Sequence, residues 1–183
     1  FPALTNFDGG TLVATNGATV TAPSLVTYTQ GNACVPDTWL VRDAGSVASF
    51  SGLGQLTGGS CAWIDAQALN GGQLLLNNLT NILSGTVHVL SSGTGSVVNL
   101  RSLVNFLNPQ GLSRLTATNA GVIILNEQPF LLSGVSVNLA VGTPNFPPTV
   151  LGPTNLILHG TPWRSYWVDA RDAMPPGGAW QFF

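Results

Sequence analysis

A pattern of about 25 residues recurs five times between residues 12 and 131. In each copy two short runs of alternating apolar and polar residues flank a small turn residue, and apolar residues three apart follow them. The turn residues, used here as reference points, are Gly17, Gly45, Gly71, Gly95 and Ala120. Alternation with period two predicts β-strands, and a small residue between two runs predicts a turn. The chain is therefore predicted to form many short strands.

Aligning the copies on these turn residues brings apolar residues together at five positions. Five residues before the turn stand Leu12, Leu40, Ala66, Leu90 and Leu115. Three residues after it stand Val20, Ala48, Leu74, Val98 and Ile123, and five after it stand Ala22, Phe50, Leu76, Leu100 and Leu125. Eight after it stand Leu25, Leu53, Leu79, Leu103 and the polar Gln128, and eleven after it stand Tyr28, Leu56, Ile82, Phe106 and Leu131. We expect these positions to form apolar rows inside the fold.

A unit of this length with two or three short strands cannot bury its apolar face alone, so neighbouring units must stack. The pattern predicts an all-β protein, a parallel β-helix (β-solenoid) of about five to six coils separated by about 4.8 Å. A leucine-rich repeat is the main alternative, because NLTNIL and NLRSLVNFL carry leucine at similar spacing. That unit usually includes a helix, and no amphipathic helix is evident here.

The repeat fades after Gly134, and proline-rich sequence follows it. We predict solenoid repeats over residues 1–142, and a Pro-rich connection with a small antiparallel β-strand appendage over residues 143–183. Within the second part, HGTPWRSYWVDARDAMPPGGAW resembles a small β module that is common in secreted bacterial proteins.

Few residues carry charge: 7% of the chain is charged, lysine is absent, and the net charge is −2. This composition argues against nucleic-acid binding, which needs a basic surface, and against a polybasic membrane anchor. No apolar run approaches the roughly 18 residues of a membrane span, so membrane insertion is not expected. Abundant threonine, serine, asparagine and glycine favour a secreted or cell-surface protein, and Asn78 lies in one N-glycosylation sequon.

The two cysteines test the alignment. Cys34 lies 17 residues after Gly17, and Cys61 lies 16 residues after Gly45. The two side chains are therefore expected nearly above one another on adjacent coils, at a distance that a disulfide can span. The alternative is a pair of buried free thiols.

Both ends of the chain are apolar. The first residues match positions 22–28 of the first copy, with Phe1 in place of Ala22, Leu4 in place of Leu25 and Phe7 in place of Tyr28. At the other end stand Trp180, Phe182 and Phe183. Because open solenoid ends present unpaired strands, we predict that these six residues carry head-to-tail self-association. The alternative is that the chain is a fragment of a longer surface protein.

Residues for catalysis are sparse. The acids are Asp8, Asp37, Asp43, Asp65, Glu127, Asp169 and Asp172, and no copy of the repeat supplies two of them on one face. Glycoside cleavage on a β-helix needs such a pair, so we predict that the chain is not an enzyme. His88 and His159 lie far apart without a cysteine or acid at ligand spacing, so neither a metal site nor another cofactor is expected.

The tryptophans allow a second interpretation. Trp39 and Trp63 could stack on sugar rings as a glycan-binding surface, or they could pack inside the fold. Trp163, Trp167 and Trp180 are expected to form a core between the last strands and the solenoid.

The repeat pattern resembles the repeat regions of bacterial surface adhesins and fibre proteins. This resemblance implies a non-enzymatic extracellular structural protein that forms a surface fibre or filament and acts in cell adhesion. Its expected partners are further copies of itself, other surface components and glycans. Two alternatives remain open at this point: a carbohydrate-binding adhesin module of a longer surface protein, and a β-helix polysaccharide lyase or hydrolase.

Overall fold

The computed structural model describes residues 1–31, 34–126 and 130–140. It also describes the backbone of four short strands further along the chain, at residues 149–150, 156–159, 169–170 and 181–182. Side chains are described as far as residue 138. All regular structure in these residues is β-strand, so the all-β prediction is confirmed.

Three parallel sheets wind around a common core as a β-solenoid of about five coils. Sheet A contains β1 (Leu12–Ala14), β4 (Asp37–Arg42), β7 (Trp63–Leu69), β10 (Thr86–Ser92), β13 (Ser113–Thr118), β16 (Val135–Ala140) and β18 (Leu156–His159). Sheet B contains β2 (Thr19–Thr21), β5 (Val47–Ser49), β8 (Gln73–Leu75), β11 (Val97–Asn99) and β14 (Val122–Ile124). Sheet C contains β3 (Thr27–Thr29), β6 (Gln55–Thr57), β9 (Asn81–Leu83), β12 (Asn105–Leu107), β15 (Leu131–Ser133) and β17 (Thr149–Val150).

The core consists of the predicted apolar rows. In sheet B, Val20, Ala48, Leu74, Val98 and Ile123 pair in one continuous register. The next two rows lie in the bends between sheets B and C, where Ala22, Phe50, Leu76, Leu100 and Leu125, and then Leu25, Leu53, Leu79 and Leu103, are buried. Each apolar side chain therefore packs on its equivalent in the coils above and below.

The residues five before the turn were predicted to face the core, and this prediction is wrong in the second and fourth coils. Leu40 and Leu90 pair on either side of Gln67 and face outward, and Trp39 and Val89 take the inward positions beside Ala66. The cause is the length of the turn that follows each sheet A strand. In the first, third and fifth coils, the reference residue comes three residues after the last inward-facing residue of the strand. In the second and fourth coils it comes four residues after.

A serine in each longer turn forms a hydrogen bond with the turn of the preceding coil. Ser46, in the second coil, accepts a hydrogen bond from the Gly17 N–H at 2.9 Å, and Ser96, in the fourth coil, accepts one from the Gly71 N–H at 2.9 Å. Both glycines have positive φ, +79° and +91°, which glycine adopts without strain. The serine hydroxyls therefore satisfy backbone donors that the tight turn of the preceding coil leaves over.

The row predicted eleven residues after the turn is wrong only in the fifth coil. Tyr28, Leu56, Ile82 and Phe106 pair in one register, which then continues to Leu132. Leu131 pairs with Asn105 instead and is half-buried, whereas Leu132 is fully buried. Gln128, the polar exception in the neighbouring row, lies outside the described residues.

Parallel pairing continues past residue 142. Strand β17 pairs with β15 in sheet C, and β18 pairs with β16 in sheet A. A separate antiparallel pair follows, formed by β19 (Asp169–Ala170) and β20 (Gln181–Phe182). The predicted antiparallel appendage is thus present, and the domain division at residues 142 and 143 stays a prediction.

Candidate functional site

A row of polar side chains crosses the outer face of sheet A. Asp65 on β7 is in register with His88 on β10, and His88 is in register with Arg114 on β13. The same row begins at Thr38 and ends at Ser136. Each member alternates with buried neighbours along its own strand, so all five face outward.

Asp65 contacts two neighbouring side chains on this face, Trp63 and His88. Its Oδ2 accepts a hydrogen bond from the indole Nε1–H of Trp63 at 2.9 Å, and its Oδ1 lies 3.2 Å from Nδ1 of His88. Because an ionised carboxylate only accepts hydrogen bonds, we assign the donating N–H of His88 to Nδ1. The Nε2 atom of a neutral His88 is then the ring acceptor that remains available to a ligand.

Trp63 offers an aromatic face to solvent. It is 40% exposed, and its ring centre lies 5.8 Å from that of His88 at an angle of 35° between the planes. The backbone beneath it is fixed by the buried Gln30, whose Nε2 donates to the Trp63 carbonyl at 3.0 Å. Two hydrogen bonds therefore fix Trp63, one from Gln30 to its backbone carbonyl and one from its indole Nε1–H to Asp65.

The turn between β12 and β13 forms the opposite wall. Asn108 is fully buried and donates from Nδ2 to Ser113 Oγ at 2.8 Å, and its Oδ1 accepts the Gln110 N–H at 3.0 Å. Ser113 Oγ also accepts the Val87 N–H at 3.0 Å. This buried network ties the turn to β10 and holds Gln110 and the exposed Leu112 beside the polar row.

Side chains from β7, β10, β13 and this turn line an open groove of about 360 Å³, named here the Trp63 groove. It is lined by Ser60, Cys61, Ala62, Trp63, Thr86, His88, Gln110, Leu112 and Arg114. The volume falls within the range of about 300–1,000 Å³ that is usual for small-molecule sites. An apolar aromatic face and several hydrogen-bonding side chains therefore meet in one concave surface.

The predicted disulfide between Cys34 and Cys61 is confirmed, with 5.2 Å between the Cα atoms. Cys61 also lines the Trp63 groove, two residues before Trp63. A disulfide persists in a non-reducing environment, so this bond points to such an environment for the protein.

Trp39 is not a surface residue, so of the two interpretations left open for it the packing one applies. It is fully buried, with its ring 4.6 Å from that of Tyr28 and 5.1 Å from that of Phe50, both in edge-on geometry. Its position follows from the longer second turn, which moves Trp39 rather than Leu40 to the inward side. A residue without solvent contact cannot stack on a glycan.

The first residues lie across the first coil. Phe7 packs 6.0 Å from the ring of Tyr28, and Leu4 and Phe7 are half-buried against the core, whereas Phe1 is 68% exposed. The Phe1 amino group donates to the Thr21 carbonyl at 2.8 Å. Of the residues predicted at the other end, Phe182 is described only through its backbone in β20, and Trp180 and Phe183 lie outside the described residues, as do Trp163 and Trp167.

The other acids with described side chains lie away from the Trp63 groove. Asp37 is buried and accepts a hydrogen bond from the Tyr28 hydroxyl at 2.6 Å. Burial, and then this bond, raise the pKa of Tyr28, which keeps the hydroxyl protonated. Oδ1 of Asp43 lies 3.7 Å from Nε of Arg42, and Oδ1 of Asp8 accepts a hydrogen bond from the Thr29 N–H.

Within the described ranges no three His, Cys, Asp or Glu side chains are grouped as a metal site would require. No helix in these ranges is long and apolar enough to cross a membrane.

Asn78, the predicted glycosylation site, is exposed. Its Nδ2 donates to the Ser51 carbonyl at 2.6 Å, and Thr80 of the same sequon donates to the Gly54 carbonyl. Both contacts reach the preceding coil, in the bend between sheets B and C.

The sequence interpretation found Trp63 but missed His88, Arg114 and Gln110 as parts of one site. Asp65 and Arg114 both stand six residues before their reference turn, and His88 stands seven before its own. The extra residue in the fourth turn compensates for this difference. A signal was present in Ser46 and Ser96, which directly follow the reference glycines of the two longer turns.

Comparisons of the chain with protein-family models, curated protein sequences and solved structures find no match.

Proposed function

We propose that this protein is a non-enzymatic, extracellular β-solenoid module that binds carbohydrate in the Trp63 groove. The observation that carries the proposal is the exposed indole of Trp63, fixed by Asp65 within a concave surface of hydrogen-bonding side chains. A function in adhesion follows if the bound glycan belongs to another surface.

The contacts suit a sugar on two counts. The flat apolar face of an indole packs against the C–H face of a pyranose ring, and its N–H is already bonded to Asp65 and needs no further partner. Around it, Ser60, Gln110 and the free ring nitrogen of His88 offer donors and acceptors for hydroxyl groups. Such a mixture of one aromatic face and convergent polar groups is typical of ligand sites.

An extracellular location is consistent with the disulfide, since such bonds persist where thiols are not kept reduced. The low content of charge and the pattern-level resemblance to adhesin and fibre repeats point the same way.

A binding rather than a cleaving function is favoured by the placement of the carboxylates. Glycoside hydrolysis uses two carboxyl groups about 5 to 9.5 Å apart on either side of the bond. Among the residues that the structure describes, no Asp or Glu lines the Trp63 groove, and Asp65 of the polar row has both of its oxygens engaged by Trp63 and His88.

A glycan array tests the proposal. We expect wild-type protein to bind a defined subset of glycans saturably, and Trp63→Ala to weaken that binding by about 30-fold, because truncating a central aromatic contact costs about 2 kcal/mol or more. Phe1→Ala removes an exposed aromatic ring outside the groove and serves as the control, with unchanged binding expected. An array without saturable binding, or equal loss in both variants, would contradict the proposal.

Self-association through the solenoid ends is a second candidate function, supported by the edge of sheet A. Strand β1 is the terminal strand of the sheet and pairs on one side only, with β4. Phe1 and Val13 near this end are 68% and 59% exposed. An unpaired edge with apolar side chains is a template for a further strand, and a contact that does not close on itself gives a filament.

Electron microscopy of the untreated protein tests this second function. We expect filaments, and we expect Phe1→Asp to abolish them because a charge at the contact opposes apolar pairing. Phe1 is preferable to Leu4 or Phe7 as a target because those two pack against the core. Val104→Asp introduces the same charge at an exposed bend position in the fourth coil and should leave filaments intact. Dispersed single particles of the wild-type protein would rule out self-association.

A further inference from the structure

Arg114 brings a positive charge to the Trp63 groove that no described carboxylate neutralises. Asp65, the acid in the same polar row, stands two strands away, which corresponds to about 9.6 Å at the usual strand spacing. Both Asp65 oxygens are already bonded, to Trp63 and to His88. Arg114 itself is exposed and makes no ion pair with any described residue.

The two other arginines that the structure describes either form an ion pair or lie outside the Trp63 groove. Arg42 has Asp43 beside it at 3.7 Å. Arg101 lies in the bend between sheets B and C, outside the Trp63 groove. Of the three arginines that the structure describes, Arg114 alone combines a guanidinium outside any ion pair with a place in a concave, partly aromatic site.

We propose that the Trp63 groove selects acidic saccharides, whose carboxylate or sulfate group pairs with Arg114 while a sugar ring lies on Trp63. This inference rests on the proposed carbohydrate binding and names its ligand class. A guanidinium presents donors in a planar fork that matches two oxygens of an anionic group, and such charge-assisted bonds are about twice as strong as neutral ones. With His88 neutral, Arg114 is the one cationic side chain among the described residues that line the Trp63 groove, so the ligand's anion has a single cationic partner there.

The test is an array of matched pairs, each an acidic glycan and its neutral counterpart. Uronate-bearing glycans are paired with their methyl esters, and sulfated glycans with their desulfated forms, so the result also distinguishes carboxylate from sulfate. We expect wild-type protein to bind the acidic member of at least one pair about tenfold or more tightly than the neutral member. In Arg114→Gln the two members should bind with equal affinity.

Arg101→Gln makes the same change in net charge outside the groove and should retain the wild-type preference. A preference that survives Arg114→Gln, or that falls equally in both variants, would overturn the inference by showing that net charge or another residue is responsible. Equal binding of acidic and neutral members by the wild type would overturn it while leaving the proposed carbohydrate binding intact. An absence of binding to every glycan would remove both.

Discussion

Trp39→Ala is expected to lower the free energy of unfolding by about 3–5 kcal/mol, the usual effect of truncating a large buried aromatic side chain. Trp39 is the largest fully buried side chain of the described residues, and it packs edge-on against Tyr28 and Phe50. Its Nε1–H also donates to the Gly10 carbonyl at 3.3 Å. The variant therefore leaves a cavity in the second coil and removes one hydrogen bond to the Gly10 carbonyl. Chemical denaturation followed by circular dichroism measures the change.

Trp63→Ala provides the control for this experiment, since it makes the same chemical change on the neighbouring strand of sheet A. Trp63 is 40% exposed and contributes one side-chain hydrogen bond, so its loss should cost no more than about 1.5 kcal/mol. Equal destabilisation by the two variants would contradict the assignment of Trp39 to the core and of Trp63 to the surface.

Loss of the Cys34–Cys61 disulfide is expected to lower stability by about 3.5 kcal/mol. The bond closes a loop with a sequence separation of 27 residues, for which the chain-entropy model gives a stabilisation of this size. The double variant Cys34→Ser/Cys61→Ser should show this loss in thermal and chemical denaturation. Because Cys61 lines the Trp63 groove, the same variant is also expected to bind glycans more weakly.

A reducing agent supplies the matched comparison for this prediction. It should destabilise the wild-type protein to the level of the double variant and leave the double variant unchanged. A reductant effect of equal size in both proteins would contradict a role of the disulfide.

The architecture was predictable because each coil must bury apolar side chains at the same positions as the coils that it stacks on. The rows through Val98, Leu100 and Leu103 were predicted in the right register, since the distance from turn to bend is the same in each coil. The row before the turn was predictable only in the coils with the shorter turn. Where Ser46 or Ser96 marks an extra residue, a constant offset from glycine places Leu40 and Leu90 inside, although they face outward.

The site was less predictable for the same physical reason. The row that joins Asp65, His88 and Arg114 comes from three coils, and its register depends on the length of the turn in each of them. A shift of one residue reverses the face of every side chain in a strand. Trp63 could be proposed from residue type alone, but its distinction from the buried Trp39 needed the structure.

Nuclear magnetic resonance of the tryptophan indole N–H groups tests the central claim, that carbohydrate binds in the Trp63 groove, most directly. The chain has five tryptophans, and Trp63→Phe identifies which indole signal belongs to Trp63. On titration with the glycan that binds best on the array, the Trp63 signal should shift, and the signal of the buried Trp39 should stay in place. A titration in which the Trp63 signal stays fixed while another tryptophan signal shifts would contradict the account.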